Sequence, residues 1–243
     1  DSATVDVTSN FKLCMLADGS ASVLVRDAAA LSVVNAFNVG LSSGTKSARF
    51  RLQDQATVTA KSNVMIQGKD SQMELAGGAM TMTRTTSGYA LSIAAAAGGV
   101  GVLRVTGGDH DLKAGGGIKV LSDAAATATT EGRVELLGGR VAIAKMFGGD
   151  GSVSGGGKGK AILSAAGGTV VPTAADETLI EKFDEATLGA GGLTIEVPAE
   201  VPVKVAQAFT DETAGAGVIV KAGEGTLTAT ANSAHGVTRI EGG

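Results

Sequence analysis

The stretch MELAGGAMTM, residues 73–82, has an apolar residue at every second position on either side of a Gly-Gly pair. The same order recurs in LRVTGGDHDL at 103–112, in VELLGGRVAI at 134–143 and in LSAAGGTV at 163–170. The first glycines of the four copies are 30, 31 and 29 residues apart. A unit that returns at nearly constant spacing predicts a repeat architecture.

Each half of the unit alternates between apolar and polar residues, which is the pattern of a strand with one buried face. The Gly-Gly pair indicates a tight bend, where a positive φ or the close approach of another backbone is tolerated. Two strands joined by a bend predict one coil of a parallel β-helix, in which each strand pairs with its equivalent one coil further on. We therefore assign a structural role to the eight glycines of the four pairs: Gly77, Gly78, Gly107, Gly108, Gly138, Gly139, Gly167 and Gly168.

The composition agrees with a narrow apolar interior. Hydrophobic residues make up 44% of the 243 residues, but the chain has no Trp, one Tyr and six Phe. The 37 glycines show no period of three, which excludes collagen, and the high hydrophobic content excludes disorder. A net charge of −4 with scattered Lys and Arg gives no indication of a nucleic-acid partner. No apolar run reaches the roughly 18 to 20 residues of a membrane span.

We predict an all-β fold, a single parallel β-helix domain over residues 1–243, with about 30 residues per repeat in its central part. A Rossmann-type fold would need amphipathic helices between its strands. The only stretch with helical spacing is 174–188, so we expect a loop or short helix within 172–188. An antiparallel sandwich is the second choice of fold. Cys14 is the only cysteine, which excludes a disulfide framework and favours a small buried hydrophobe.

The sequence GTLTATANSAHGVTRI, residues 225–240, resembles the passenger-associated transport repeat of bacterial autotransporters. The stretch LGAGGLTI at 188–195 is similar to the strand found just before such repeats. The sequence departs from the family pattern at Ala229, Ala231 and Ala234, where an apolar strand residue, a glycine and an aromatic residue are usual. The resemblance implies a right-handed parallel β-helix, exported by a bacterium, with transport-repeat-like coils in residues 188–243. It implies no catalytic residue.

The most suggestive segment for chemistry has Asp109 and Asp111 on either side of His110, one of only two histidines. Such a set could serve in acid–base catalysis or bind a cation. His110, however, takes the place of Met80 and Val141 in their copies, which favours a ring that points into the tube or lies at a bend. We favour this structural interpretation and predict no metal and no cofactor. Asp109, His110 and Asp111 are the catalytic candidates should the protein be an enzyme.

Polysaccharide lyases and glycosidases built on β-helices are the enzymatic alternative. Such enzymes gather charged residues from neighbouring coils on one face, and here the candidates form no clean row in the sequence. They are Asp70, Asp109, Asp111, Asp150, Lys113, Lys119 and Arg140. The glycine-rich stretch 148–158 lacks the order of a phosphate-binding P-loop. Tyr89 is the only tyrosine, so aromatic surfaces for stacking sugars are scarce.

We therefore expect a non-catalytic structural or adhesive β-helix at the bacterial cell surface or in the medium, as a stalk, adhesin or filament-forming segment. Residues 4–8 and 238–243 read as strand and turn without a cap. An uncapped solenoid end invites strand addition. The expected partners are further coils of a longer parent chain or other copies of the protein, with surface glycans as a further candidate.

Overall fold

The computed structural model describes residues 2–13, 20–40, 47–84, 88–94, 99–121, 129–149 and 159–242. These residues form 24 strands and no helix. The strands pair in parallel in two sheets and wind as a β-solenoid with about 27 residues per turn. A helix with the length and hydrophobicity of a membrane span is absent from the described residues.

The first sheet has 15 strands in the described chain. They are β1 (Thr4–Val7), β3 (Ala21–Val25), β4 (Ala30–Val33), β6 (Ala48–Leu52), β7 (Thr57–Ala60), β9 (Ser71–Ala76), β10 (Ala79–Met82), β12 (Val100–Asp111), β14 (Glu131–Ile143), β16 (Lys160–Pro172), β18 (Glu185–Leu188), β19 (Leu193–Glu196), β21 (Thr210–Asp211), β22 (Val218–Ala222) and β24 (Val237–Ile240). The second sheet has nine: β2 (Phe11–Leu13), β5 (Phe37–Val39), β8 (Val64–Ile66), β11 (Leu91–Ile93), β13 (Ile118–Val120), β15 (Met146–Phe147), β17 (Thr178–Glu181), β20 (Val203–Ala206) and β23 (Leu227–Ala229).

The first sheet covers two faces of the tube, because three long strands belong to both faces. The N-terminal halves of β12, β14 and β16 continue the row formed by β3, β6 and β9. Their C-terminal halves continue the row formed by β4, β7 and β10. The second sheet forms the third face, so that each coil runs through the three faces in the same order.

The inward residues of the repeats form one column, as the alternation predicts. Val105 pairs in register with Leu75 of the preceding coil and with Leu136 of the following one. Leu136 pairs in turn with Ala165, and all four side chains are at most 3% exposed. The predicted spacing of about 30 residues is therefore confirmed for the central coils. It is shorter elsewhere, with 23 residues between the paired Leu52 and Leu75.

The Gly-Gly pairs lie at the corner between the first two faces. The first pair separates β9 from β10, but β12, β14 and β16 continue through the corner, with shifts of register. Two separate strands per unit, as predicted, are thus found only in the first copy. The second glycine of each pair has a φ between 63° and 87°. A Cβ on Gly139 would lie 2.7 Å from the carbonyl carbon of Gly107 in the preceding coil.

Residues 172–188 contain no helix, and short turns at 173–177 and 182–184 separate the strands of this stretch. The stretch includes β17 and β18, which pair in parallel with strands of the coils before and after. Leu179 and Ile180 are fully buried, and Asp176 and Lys182 have φ values of 60°. Strand pairing on both edges provides hydrogen bonds and burial that a lone amphipathic helix on the tube would not obtain, and this tertiary context overrides local propensity.

Candidate functional site

The candidate residues 109–111 lie near the end of β12, where strand alternation sends them to opposite sides of the sheet. His110 is fully buried in the interior and pairs in register with Val141. On the outer side, Asp109 Oδ1 lies 3.5 Å from Arg140 Nη1. Asp111 Oδ2 lies 2.7 Å from Lys113 Nζ, also on the outer side. The sheet therefore separates the imidazole from the two carboxylates.

Both ring nitrogens of His110 take part in hydrogen bonds with the backbone. The Met80 N–H donates to Nδ1 at 3.1 Å, and Nε2 lies 2.7 Å from the Gly107 carbonyl oxygen. Nε2 must therefore carry the proton and donate it, while Nδ1 accepts. Burial lowers the pKa of His110, against the opposing effects of the bond to Gly107 and the charge of Asp109. The neutral imidazole joins two coils at the corner of the tube.

Among the other residues named for the enzymatic alternative, Arg140 and Lys113 contact this segment through the ion pairs just described, whereas Asp70 and Lys119 lie elsewhere. Asp70 lies in the turn before β9, Lys119 is on the second sheet, and Arg140 is on the first. Arg140 also binds Glu196, with Nε 3.2 Å from Oε2. No group of three or more His, Cys, Asp or Glu side chains in the described part of the chain could hold a metal ion. Asp150, Cys14 and most of the segment 148–158 lie outside the described residues.

A row of alternating charges follows the outer side of the first sheet. Arg51, Glu74, Arg104 and Glu135 occupy successive coils in register. Arg51 Nε lies 3.5 Å from Glu74 Oε2, and Arg104 Nε lies 2.5 Å from Glu135 Oε2. The hydrogen bond to Glu135 is the main reason that the pKa of Arg104 is raised, and burial opposes it. Each ion pair joins two neighbouring coils, so the row reinforces the stacking of the solenoid.

A second cluster lies on the outer side of the second sheet. The rings of Tyr89 and Phe147 stack there, with centroids 5.9 Å apart and planes inclined by 24°. Three lysines surround the rings, and we call Tyr89, Lys119, Lys145, Phe147 and Lys182 the aromatic–lysine patch. The other aromatic side chains of the protein line the core or pack against it: Phe11, Phe37, Phe50, Phe183 and Phe209.

The coil register brings this patch together. Lys119 is the central residue of β13 and pairs in register with Phe147 in β15. Tyr89 lies just before β11, one coil earlier than Lys119. The coil between the two rings carries Gly115 and Gly116, and a Cβ on Gly116 would lie 3.7 Å from the Cδ1 of Tyr89. Such a distance is an ordinary van der Waals contact, so Gly116 lies directly beside the Tyr89 ring.

The lysine ammonium groups lie close to the aromatic rings. Lys119 Nζ is 5.6 Å from both ring centroids, and the Nζ atoms of Lys145 and Lys182 are 5.5 and 5.2 Å from that of Phe147. Lys145 Nζ also lies 2.6 Å from Glu181 Oε1. Burial lowers the pKa of Lys145, but the hydrogen bond and charge of Glu181 and other nearby groups outweigh it and raise the pKa.

Sequence reasoning named Lys119 and Tyr89 separately and did not join them into a site. The signal for Phe147 is that it follows the buried Met146, so alternation turns its ring outward. The signal for Lys182 is weaker, because it falls in the segment that we predicted as a loop or helix. Which of these residues meet depends on coil lengths that vary along the chain.

Comparisons with protein-family models, with curated proteins and with solved structures gave no significant match to this chain. The resemblance of residues 188–243 to a transport repeat therefore rests on the sequence pattern alone. The role of the protein has to be inferred from its own geometry.

Proposed function

We propose that this chain is a non-catalytic structural or adhesive β-helix, displayed at a bacterial cell surface or secreted, as a stalk, adhesin or filament-forming segment. The placement of His110 is the observation that carries the proposal. Its ring is inside the tube and bonded at both nitrogens, while Asp109 and Asp111 are outside and ion-paired. In this segment the imidazole joins two coils and the two carboxylates take part in ion pairs, which favours a structural role over acid–base chemistry.

The architecture supports a mechanical or display role. One apolar cluster runs through the interior from Leu13 to Phe209, so neighbouring coils depend on each other for burial. The nine strands of the second sheet, spaced about 4.8 Å apart, give a continuous face of roughly 40 Å. Side chains along this face recur at regular intervals, which suits repeated contacts with a polymer or with a surface. The resemblance to autotransporter passengers supports export.

The first experiment tests for catalysis. The purified protein is incubated with acidic and neutral polysaccharides, and products are detected by reducing ends and by the absorbance of unsaturated uronates. We expect no turnover. Turnover that disappears in Asp109→Asn or Asp111→Asn would refute the non-catalytic role and establish the polysaccharide-cleaving alternative. Lys12→Gln, a charge change on the second sheet, is the control for these variants.

The second experiment tests location. Antibodies raised against the purified protein should label intact cells of the bacterium that produces it, or detect the protein in the medium. Protease added to intact cells should remove the surface label, and a cytoplasmic marker should survive as the control. A protein found only after the cells are lysed would contradict the proposed display.

A further inference from the structure

The aromatic pair of the patch stands on the outer side of a tube whose interior takes up nearly all other aromatic rings. Tyr89 and Phe147 are partly exposed, whereas Leu91 and Met146, their neighbours along the chain, are buried. The pair therefore gains only part of the stabilisation that burial of aromatic rings provides. The fold does not need two stacked rings at this position, so a role in binding is the better account.

The charge of the patch is positive on a chain whose net charge is −4. It has three ammonium groups, and Glu181 neutralises that of Lys145. In the described part of the chain, no carboxylate lies within ion-pair distance of Lys119 or Lys182. Cation–π attraction holds these two ammonium groups beside the rings. Each keeps N–H groups with which it can donate to an anion.

The placement of the two cations favours a ligand with several anionic groups. Lys119 is in β13 and Lys182 directly follows β17, two coils further on, with Phe147 in the coil between them. The two lysines therefore leave the backbone roughly 10 Å apart along the axis, and both Nζ atoms lie within 5.6 Å of the Phe147 ring centroid. A ligand whose apolar surface covers this ring and which contacts the lysine on each side of it needs more than one anionic group.

We propose that the aromatic–lysine patch binds acidic polysaccharides, with pyranose C–H faces against Tyr89 and Phe147 and carboxylate or sulfate groups on Lys119 and Lys182. This inference rests on the proposed function, because it names the ligand class of an adhesive β-helix. Single-stranded nucleic acid also combines rings with negative charge, but its binding relies on many phosphate contacts along a basic groove. A patch of three lysines on an acidic protein does not offer such a groove.

The test is isothermal titration calorimetry of the 243-residue protein with four probes. These are polygalacturonate, dextran sulfate, neutral dextran and oligo(dT). We expect at least one of the two acidic polysaccharides to bind, with an affinity that falls as salt is added, and neutral dextran not to bind. Binding of polygalacturonate alone would identify carboxylates as the anionic groups, and binding of dextran sulfate alone would identify sulfates.

Matched variants place the binding on the patch. Lys119→Gln combined with Lys182→Gln should weaken binding about tenfold or more, because it removes two charge-assisted hydrogen bonds. Phe147→Leu should also weaken it, since the change keeps an apolar side chain but removes the ring. Lys12→Gln is the control, because Lys12 lies on the same outward row of the second sheet, four coils before Lys119. All variants should keep the circular dichroism spectrum and unfolding midpoint of the wild type.

Several results would overturn the inference. They are the absence of binding to both acidic polysaccharides, unchanged binding in the double lysine variant, and an equal loss in Lys12→Gln. Equally tight binding of oligo(dT) that depends on the same lysines would assign the patch to nucleic acid. Cleavage of a bound polysaccharide would refute the non-catalytic role but leave the binding site in place. If the protein is displayed at the cell surface but binds neither acidic polysaccharide, the binding role of the patch is refuted and the proposed display is not.

Discussion

The buried His110 offers the sharpest test of the fold, through the substitution His110→Val. Valine is the residue that β14 has at the paired position, Val141, so the change keeps an inward apolar side chain. It removes the acceptor of the Met80 N–H and the donor to the Gly107 carbonyl. A buried polar group left without its partner costs about 1–3 kcal/mol. Losing both partners should lower the free energy of unfolding by about 2–5 kcal/mol at pH 7.5. The upper value is less than twice the largest single cost, because Gly107 is only half-buried and water can replace one of the two hydrogen bonds.

The same histidine should make the wild type sensitive to acid. Because burial lowers its pKa in the folded state, the unfolded chain takes up a proton first as the pH falls below about 6.5. His110 therefore favours folding above that pH and opposes it increasingly below. The slope is at most about 1.4 kcal/mol per pH unit, so the loss between pH 7.5 and 5.0 is at most about 2 kcal/mol. The variant cannot show this loss.

Urea unfolding followed by circular dichroism at both pH values measures these quantities. We expect the destabilisation caused by His110→Val to be smaller at pH 5.0 than at pH 7.5. His235→Val, which removes the other histidine, is the control and should keep the acid sensitivity of the wild type. The reasoning is refuted if His110→Val is as stable as the wild type at pH 7.5, or if it destabilises by the same amount at both pH values.

Two further pairs of variants test the alternation and the corner. Leu103→Asp should cost several kcal/mol in the free energy of unfolding, because it buries an unpaired charge. Val102→Asp, on the outer side of the same strand, should cost less than about 1 kcal/mol. If Leu103→Asp and Val102→Asp had the same thermal unfolding midpoint, the predicted alternation would be contradicted. Gly139→Ala should cost about 2–5 kcal/mol, from positive φ and backbone overlap. Gly215→Ala, with positive φ but no neighbour within 4 Å, should cost about 1–2 kcal/mol. Similar losses for the two glycines would show that the overlap contributes nothing.

The sequence was sufficient for the parts of the fold that depend on local periodicity. The alternation around each Gly-Gly pair predicts the column from Leu75 to Ala165, because a period of two assigns each residue to one side of a strand. The same alternation places His110 inward and its two aspartates outward. Where an apolar pattern fits both strand and helix, as in 172–188, only the pairing with neighbouring coils decides, and here it gives two strands and no helix.

The aromatic–lysine patch was beyond sequence reasoning for a different reason. Its residues come from four coils, and a side chain meets the one above it only if both coils have the right length. Paired residues are 23 apart between Leu52 and Leu75 but 31 apart between Val105 and Leu136. A constant period would therefore misplace Tyr89 against Phe147. Alternation predicts on which side of the sheet a side chain lies, but it does not predict which residue of the next coil that side chain contacts.

The three long strands that continue around the corner have a consequence for bending stiffness. In β12, β14 and β16 the hydrogen-bonded ladder crosses the corner, whereas in most other coils the corner is a turn between two short strands. A ladder that crosses the corner resists opening of the angle between the two faces, because opening would break hydrogen bonds in three coils at once. The central coils of the solenoid should therefore resist bending more than the coils towards either end. When a bending load acts on the whole tube, the coils near the two ends should deform first.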